Sequence, residues 1–298
     1  MQGSIPAQQQ RRKRRHRPQT AKYVSPRQCT QQQTGWTSAS HYRRLACLRA
    51  RSRQYNPPVP ADPTLQRHPP GQTLLFDADD TLWENNIYFE RAIAAFISYL
   101  DHRTHTPEEV RAHLNRVEHA TIAAHGYGLK SFRRSLVDCF EQLTDAPITA
   151  EKHSRILRFA QSIAEHEIEP LPGVAATLAE LATRHRCLLV TKGDPGEQRD
   201  KLVRSGLAAH FSAVEVLAEK NSAAYRALAA RHACDPVRTW MIGNSPKSDV
   251  NPALAAGLHA VFLPHNFTWV LEEEAVREPA AGQHLIELAA FADLIRHF

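Results

Sequence analysis

Three carboxylates fall within four residues in the segment Asp77–Asp80, directly after a short apolar run. Like charges this close resist joint ionisation unless a counter-charge lies nearby. A divalent cation would supply that charge. Oxygen ligands suit Mg²⁺, which commonly binds one or two carboxylates and keeps sites for water and phosphate. The cluster therefore predicts a magnesium site, with an acidic loop that caps a helix as the structural alternative.

Asp77 and Asp79 lie two residues apart, at the point where a strand is predicted to end. A nucleophile and a proton donor at that spacing can both reach the same region of a substrate as the strand unwinds. These two carboxylates are the candidate catalytic pair.

Polar residues also follow the second and third apolar runs of the chain. Thr191, Lys192 and Gly193 follow the second run, and a hydroxyl beside a glycine amide suits a phosphate oxygen. Lys220 follows the third run, where its ammonium can neutralise the acidic cluster and hold a phosphoryl oxygen. Taken singly, Thr191 could instead cap a helix, and Lys220 could be a surface lysine.

The segment after the fourth apolar run reads G-N-S-P-K-S-D, from Gly243 to Asp249. The carboxylate of Asp249 precedes a predicted helix and can complete a metal site with Asp77 and Asp79. Its common structural role at such a position would be to cap that helix.

Strand and helix patterns alternate along the chain. The runs that predict buried parallel strands are Thr73–Phe76, Cys187–Val190, Ala213–Val216, Thr239–Ile242 and Ala260–Leu263, with a weaker one at His284–Glu287. Helical patterns lie at Gly173–His185, Glu197–Ser205, Lys220–His232, Val250–Ala256 and Ala289–Arg296. This alternation predicts an α/β fold with a Rossmann-like, doubly wound parallel sheet. Ligands of such sheets bind beyond the carboxyl ends of the strands, where the polar segments are expected to meet.

The long segment between the first two strands shows helical patterns only, at Phe89–Leu100, Ser131–Leu143 and Ala150–Ile163, with a helix start at Thr106. We therefore predict a helical cap at 86–168, above the carboxyl edge of the sheet. The remaining core is predicted to comprise 73–85 and 169–298.

Residues 1–72 differ in composition from the rest. They hold fourteen lysines and arginines against one acid, whereas the remaining chain has 23 basic and 30 acidic residues. Glutamine runs, prolines and the lack of an apolar period predict a disordered basic tail. Its basic run at 11–17 is compatible with nucleic-acid binding, but a non-functional extension is the favoured interpretation.

Other features limit the protein class. No stretch approaches the roughly 20 apolar residues of a membrane-spanning helix, and the N-terminus has no apolar signal region. The five cysteines form no C-x-x-C pair, so neither a zinc site nor a disulfide framework is predicted, and a cytoplasmic location is the simplest. The sequence does not indicate an oligomeric state.

The motifs occur in a characteristic order, each at a predicted strand end: D-x-D-x-T, then Thr, then Lys, then G-N-x-x-x-x-D. In this order, and in the strings F-D-A-D-D-T-L-W and M-I-G-N-S-P-K-S-D-V-N-P-A, the chain closely resembles the haloacid dehalogenase (HAD) superfamily. The resemblance covers roughly 72–298. The helical segment is similar to the superfamily's C1 cap, as in its phosphoglycolate phosphatase-like branch.

The resemblance implies a phosphohydrolase mechanism. Asp77 would attack phosphorus and form an aspartyl-phosphate. Asp79 would protonate the leaving oxygen and then deprotonate the hydrolytic water. Thr191 and Lys220 would hold the phosphoryl oxygens, in the same region as Lys192 and Gly193.

The resemblance also implies that Asp77 and Asp249, with the backbone carbonyl of Asp79, bind Mg²⁺. Many relatives carry Asp where this chain has Asn244. A neutral amide cannot supply that charge, so Asn244 is expected beside the metal rather than on it, with more of the site left to Asp249.

Several functions stay open. Asp79 favours phosphate transfer, because haloacid dehalogenases carry no acid at that position. Phosphonate cleavage would require a Schiff-base lysine in the cap, for which Lys130 and Lys152 are available. A catalytically weak scaffold whose tail binds nucleic acid is a further alternative.

The expected substrate is a small phosphorylated metabolite, with sugar phosphates, phosphoglycolate and nucleotides all open. The candidate residues facing it are Trp83, Asn85, Asn86, His125, Tyr127, Lys130, Arg133 and Arg134.

Overall fold

The computed structural model describes residues 67–100, 104–145 and 147–298. The predictions made for residues 1–66, including the disorder and the basic run, lie outside the described residues. No helix within the described ranges is long and apolar enough to cross a membrane.

Six parallel strands form one sheet, which confirms the predicted α/β fold class. The strands are β1 (Thr73–Phe76), β2 (Arg186–Lys192), β3 (Ala213–Leu217), β4 (Thr239–Gly243), β5 (His259–Phe262) and β6 (Leu285–Glu287). Their order is β3-β2-β1-β4-β5-β6, so β1 lies inside the sheet, between β2 and β4. The switch of direction beside β1 leaves a crevice at the carboxyl edge, where open α/β sheets bind ligands.

Eight α-helices lie in the described ranges. They are α1 (Asn86–Leu100), α2 (Pro107–His125), α3 (Leu129–Leu143), α4 (Ala150–Glu165), α5 (Val174–Leu181), α6 (Pro195–Arg204), α7 (Ser222–Arg231) and α8 (Asn251–Ala255). The first four follow one another between β1 and β2, and we call the segment 86–168 the helical insertion.

Three of the predicted helix boundaries were wrong, and two of these corrections concern residues of the site. Helix α7 begins at Ser222 with Asn221 as its N-cap, so Lys220 lies in the preceding loop. The predicted helix at Val250–Ala256 is shorter and follows a single π-helical turn at Pro246–Val250. The C-terminal helical pattern forms a 3₁₀ helix at Phe291–Arg296.

Local sequence explains how α2 begins. The Thr106 side chain accepts a hydrogen bond from the Glu109 amide, and the Glu109 carboxylate accepts one from the Thr106 amide. This reciprocal capping box satisfies amides that have no partner within the helix.

The helical insertion has a hydrophobic core of its own. Phe96, Leu114, Leu136 and Ile156 are fully buried in one cluster whose members all come from α1 to α4. The sheet is covered separately on its two faces, since Leu74 and Leu75 of β1 belong to different clusters. Successive residues of a strand point to opposite faces, so β1 contributes to both.

Residues 67–72, which the sequence analysis assigned to the tail, pack against the core. The His68 ring lies 4.6 Å from the Trp240 ring and stacks on Phe298 at 5.4 Å. The Gly71 amide donates to the Arg184 carbonyl at 2.8 Å. The segment was assigned to the tail because it is polar and rich in proline. Its packing depends on a few aromatic contacts of His68, which composition does not indicate.

Candidate active site

A buried lysine joins two of the predicted carboxylates. Lys220 donates to Asp249 at 2.8 Å and also contacts Asp77. The three residues come from different strand ends: Asp77 directly follows β1, Lys220 follows β3, and Asp249 follows β4. The parallel sheet therefore gathers them at one edge, with Lys220 3% exposed and Asp249 1% exposed.

The charges of this group do not balance. Burial raises the pKa of Asp77 to about 7, and repulsion from Asp249 adds to this while Lys220 opposes it. Burial alone would lower the pKa of Lys220, but Asp249 and Asp77 outweigh that effect and raise the pKa well above its usual value. One ammonium thus faces two buried carboxylates, and a further positive charge would stabilise both in their ionised form.

Asp249 is held by its own turn. The Ser245 amide donates to the Asp249 carboxylate at 2.9 Å, and Ser245, not Asp249, is the cap of the π-helical turn. Gly243 makes room for this arrangement, because a Cβ at that position would lie 2.2 Å from the Asp249 carboxylate. The glycine of the G-N-x-x-x-x-D string is therefore a steric requirement.

Asn244 lies close to the same group. Its Oδ1 accepts a hydrogen bond from the Thr81 hydroxyl at 3.2 Å, and that hydroxyl also lies 3.0 Å from the Asp77 carboxylate. Thr81, the last residue of the D-x-D-x-T string, thus connects Asn244 to Asp77.

Asp79 is paired with a lysine that the sequence analysis did not select. Lys201 lies 2.8 Å and 3.0 Å from the two carboxylate oxygens, and Gln198 and Trp83 donate to them at 2.9 Å and 2.8 Å. Burial acts to raise the pKa of Asp79, but Lys201 and the hydrogen bonds outweigh it and hold the pKa below its usual value. Asp79 is therefore an ionised, firmly oriented carboxylate.

The three residues at the end of β2 have different surroundings. Thr191 is 1% exposed, and its hydroxyl lies 3.3 Å from Gln198. Gly193 has a φ of 138°, a conformation that glycine adopts at little cost. Lys192 binds Glu272 at 2.6 Å and Ser248 at 2.8 Å, so its ammonium already has a carboxylate partner.

Asp80 has a structural role. Its carboxylate accepts hydrogen bonds from the backbone amides of Asn85 and Asn86, where α1 begins. Asp80, Glu84 and His265 also have ligand atoms within 4.8 Å of one another, but His265 already contacts Glu84 at 3.3 Å. We interpret this group as an ion-pair network, distinct from the predicted metal ligands Asp77, Asp79 and Asp249.

A cavity of about 170 Å³ lies between the strand ends and the helical insertion. All of the predicted site residues line it: Asp77, Asp79, Thr191, Lys192, Gly193, Lys220, Asn244 and Asp249. Of the candidate substrate-facing residues, those that line it are Asn85, Asn86 and Tyr127, and those that do not are Trp83, His125, Lys130, Arg133 and Arg134. Trp83 is fully buried in the core instead.

The donor set around Asp77 fits a hard divalent cation. Asp77 and Asp249 offer buried carboxylate oxygens, and Asn244 offers an amide oxygen within the same network. Oxygen donors and an excess of negative charge are what Mg²⁺ requires.

Several residues of the site were missed by sequence reasoning. Gln198 and Lys201 lie three residues apart on α6, hence on one face of the helix, and that face meets Asp79. Glu272 lies in a 3₁₀ turn after β5, a segment without a periodic pattern. For Gln198 and Lys201 the sequence did offer a signal, because they form a polar pair on the first helix after β2. For Glu272 there was no such signal.

Comparison with known proteins places this geometry in a family. The family model of haloacid dehalogenase-like hydrolases matches residues 72–257, well over half of the chain. A haloacid dehalogenase-like hydrolase from Xanthomonas campestris is 30% identical, with a TM-score of 0.62 over 76% of this chain and 93% of that one. An L-2-haloacid dehalogenase from Xanthobacter autotrophicus shares the fold at 18% identity and a TM-score of 0.53, over 76% of this chain and 97% of that one.

A phosphoserine phosphatase from Thermus thermophilus is 37% identical over 98 residues. That stretch covers 31% of this chain and 39% of the phosphatase, so the similarity is confined to a part of each protein. The family match, the parallel sheet and the acidic strand ends agree, and the chain belongs to the haloacid dehalogenase-like hydrolases.

Proposed function

We propose that this hydrolase is a Mg²⁺-dependent phosphatase that acts on small phosphate monoesters through an aspartyl-phosphate. The observation that carries the proposal is the Asp77–Lys220–Asp249 group at the carboxyl edge of the sheet, with Asp79 two residues beyond Asp77. The partial similarity to a phosphoserine phosphatase supports phosphate chemistry. The wide cysteine spacing favours a cytoplasmic location.

In the first proposed step, a carboxylate oxygen of Asp77 attacks phosphorus, and the bond from phosphorus to the ester oxygen breaks. The leaving alkoxide takes a proton from Asp79 and departs as an alcohol. Asp79 must carry a proton at that moment, so its ion pair with Lys201 has to open when the substrate binds.

In the second step, water attacks the aspartyl-phosphate while Asp79 accepts a proton from it. The bond from phosphorus to Asp77 breaks, which releases inorganic phosphate and regenerates the carboxylate. Lys201 holds the pKa of Asp79 below its usual value, which favours the ionised form that this step requires.

Asp77, Asp249 and the carbonyl of Asp79 are the proposed ligands of Mg²⁺, with Asn244 beside them. When bound, the cation offsets the negative charge that accumulates as a carboxylate approaches a phosphate. Lys220 contributes a second positive charge, and Thr191 with Gly193 would hold the phosphoryl oxygens. Lys192 is proposed to reach them only when its contact with Glu272 loosens.

The helical insertion is proposed to act as a C1-type cap that closes over the substrate. It contributes one wall of the cavity, and its Tyr127 hydroxyl contacts Glu219 of the core at 2.9 Å. Closure of this kind excludes water and completes a site.

Hydrolysis of p-nitrophenyl phosphate by the full chain with Mg²⁺ tests the proposal. We expect turnover that disappears on chelation, and Asp77→Asn should lower kcat by at least about 1,000-fold, as expected when a nucleophile is removed. Asp145→Asn, at an exposed position just after α3, serves as the matched control and should keep the activity.

Two outcomes would argue against this function. Equal activity of Asp77→Asn and the unaltered chain would exclude Asp77 as the nucleophile. Halide release from 2-haloacids, without hydrolysis of any phosphate ester, would assign the dehalogenase reaction instead.

A further inference from the structure

The helical insertion buries an acid within its wall of the cavity. Glu118 lies on the inner face of α2, beside the apolar positions Val110, Leu114 and Val117, and is 5% exposed. It lines the same cavity as Asp77. A carboxylate at a core position of a helix is costly unless a partner compensates it.

Glu118 has an oxygen without such a partner. Its Oε2 is buried and accepts no hydrogen bond from any residue that the structure describes. The charges that act on Glu118 are those of Arg111 and Glu90. The Arg111 guanidinium, however, donates to both oxygens of Glu90, at 2.6 Å and 2.8 Å, and to Asn115 at 2.9 Å. The donors of Arg111 are thus directed to Glu90 and Asn115, and not to Glu118.

The rest of this wall is largely apolar, and its described residues carry no positive charge. Phe89, Ile93, Ile122 and Phe132 provide hydrophobic surface beside Glu118. Ser135 donates its hydroxyl proton to the Ser131 carbonyl at 3.0 Å, so the Ser135 oxygen is left to accept. Among the described residues of the insertion that line the cavity, none is a lysine, arginine or histidine.

A carboxylate group on the substrate's leaving alcohol would therefore meet no cation here and would face Glu118. A protonated amine would meet a buried acceptor and regain part of the hydration that it loses on entry. Burial raises the pKa of Glu118 to about 7, since it outweighs the opposing charge of Arg111, which is itself bound to Glu90.

Resting on the phosphatase function proposed above, we propose that Glu118 determines substrate specificity, by binding a primary ammonium group on the leaving alcohol of an amino-alcohol phosphate. The phosphate end lies at Asp77 and the amine end lies within the helical insertion. Phosphates of simple hydroxy acids, such as phosphoglycolate, are disfavoured by the same wall.

Three esters that differ at one position test this specificity: 2-aminoethyl phosphate, ethyl phosphate and 2-phosphoglycolate. We expect kcat/KM of the full chain to be highest for the amine, and Glu118→Gln to lower that value about 10- to 100-fold, the effect of one charge-assisted hydrogen bond. Turnover of ethyl phosphate should change little, and Glu141→Gln, an exposed acid on α3, should leave all three unchanged.

A binding measurement separates this inference from the phosphatase function. By calorimetry with Mg²⁺, 2-aminoethylphosphonate should bind about 10- to 100-fold more tightly than ethylphosphonate, and Glu118→Gln should abolish the difference. This result supports amine recognition even where no ester is hydrolysed. Equal binding of the two phosphonates, or a preference for phosphoglycolate, would overturn it, and so would an equal loss on all three esters in Glu118→Gln.

Discussion

The two walls of the cavity differ in whether their charged side chains have partners of opposite charge. On the sheet side, Asp79 is paired with Lys201, Lys192 is paired with Glu272, and Asp77 shares Lys220 with Asp249. On the side of the helical insertion, Glu118 has a buried oxygen with no partner among the described residues. The sheet side is organised before a ligand arrives, whereas the insertion side leaves one polar group for the ligand to satisfy.

This difference has a consequence for stability and function. Paired charges hold the reacting groups in a fixed geometry in the free protein, and the proposed reaction opens only the Asp79–Lys201 and Lys192–Glu272 contacts. An unpaired buried acid costs stability in the free protein and is tolerated where binding compensates it. We therefore expect that removing the shared cation Lys220 on the sheet side destabilises the fold, while removing the unpaired acid Glu118 from the insertion stabilises it.

The largest expected effect is on the sheet side. Lys220→Met would leave Asp77 and Asp249 as buried carboxylates without their shared cation, and we expect a loss of about 3–5 kcal/mol in the free energy of unfolding. Urea unfolding at pH 7.5 without divalent metal measures it. Lys130→Met, at an exposed position of the insertion, is the control. A loss no greater than that of the control would show that the charges on the sheet side do not stabilise the fold.

Removing the charge of Glu118 is expected to raise the free energy of unfolding, the opposite of the effect expected for Lys220→Met. The folded pKa of Glu118, about 7, exceeds the ordinary 4.5, so the folded state binds the proton more tightly and stability falls as pH rises between these values. This difference corresponds to about 3 kcal/mol at most. Glu118→Gln, which does not ionise, should be more stable than the unaltered chain at pH 8.

Thermal or urea unfolding from pH 4 to pH 8 checks this prediction. The advantage of Glu118→Gln should vanish near pH 4, where the unaltered carboxyl is protonated in both states. An advantage that does not depend on pH would mean that packing, not ionisation, sets the effect.

The smallest effect concerns the contact between the two walls. Tyr127→Phe removes the hydroxyl that donates to Glu219 at 2.9 Å and accepts from Lys192 at 3.2 Å. We expect a cost of about 1 kcal/mol, seen as faster hydrogen exchange in the 126–129 loop. Tyr99→Phe, within the hydrophobic core of the insertion, is the matched variant that should not alter exchange there. Unchanged exchange in Tyr127→Phe would show that this contact does not hold the loop.

The site could be predicted from the sequence where it depends on strand ends. Asp77, Lys220 and Asp249 each follow an apolar run, and parallel strands necessarily bring those positions to one edge. Lys201 was missed because its relation to Asp79 depends on how α6 packs on the sheet. Lys192 was placed beside the site by its position at the end of β2, but its pairing with Glu272 depends on a distant irregular turn.

The sequence by itself determined the sheet, the helical insertion and the order of the chemical groups, because hydrophobic periodicity and turn residues act over a few neighbours. Glu118 was not selected from the sequence, because its place in the cavity wall depends on how α2 packs. Only the tertiary structure decided which charges are paired and which are left for a ligand. Pairing depends on distances of a few ångströms between residues far apart in the chain, and those distances are set by packing rather than by any local pattern.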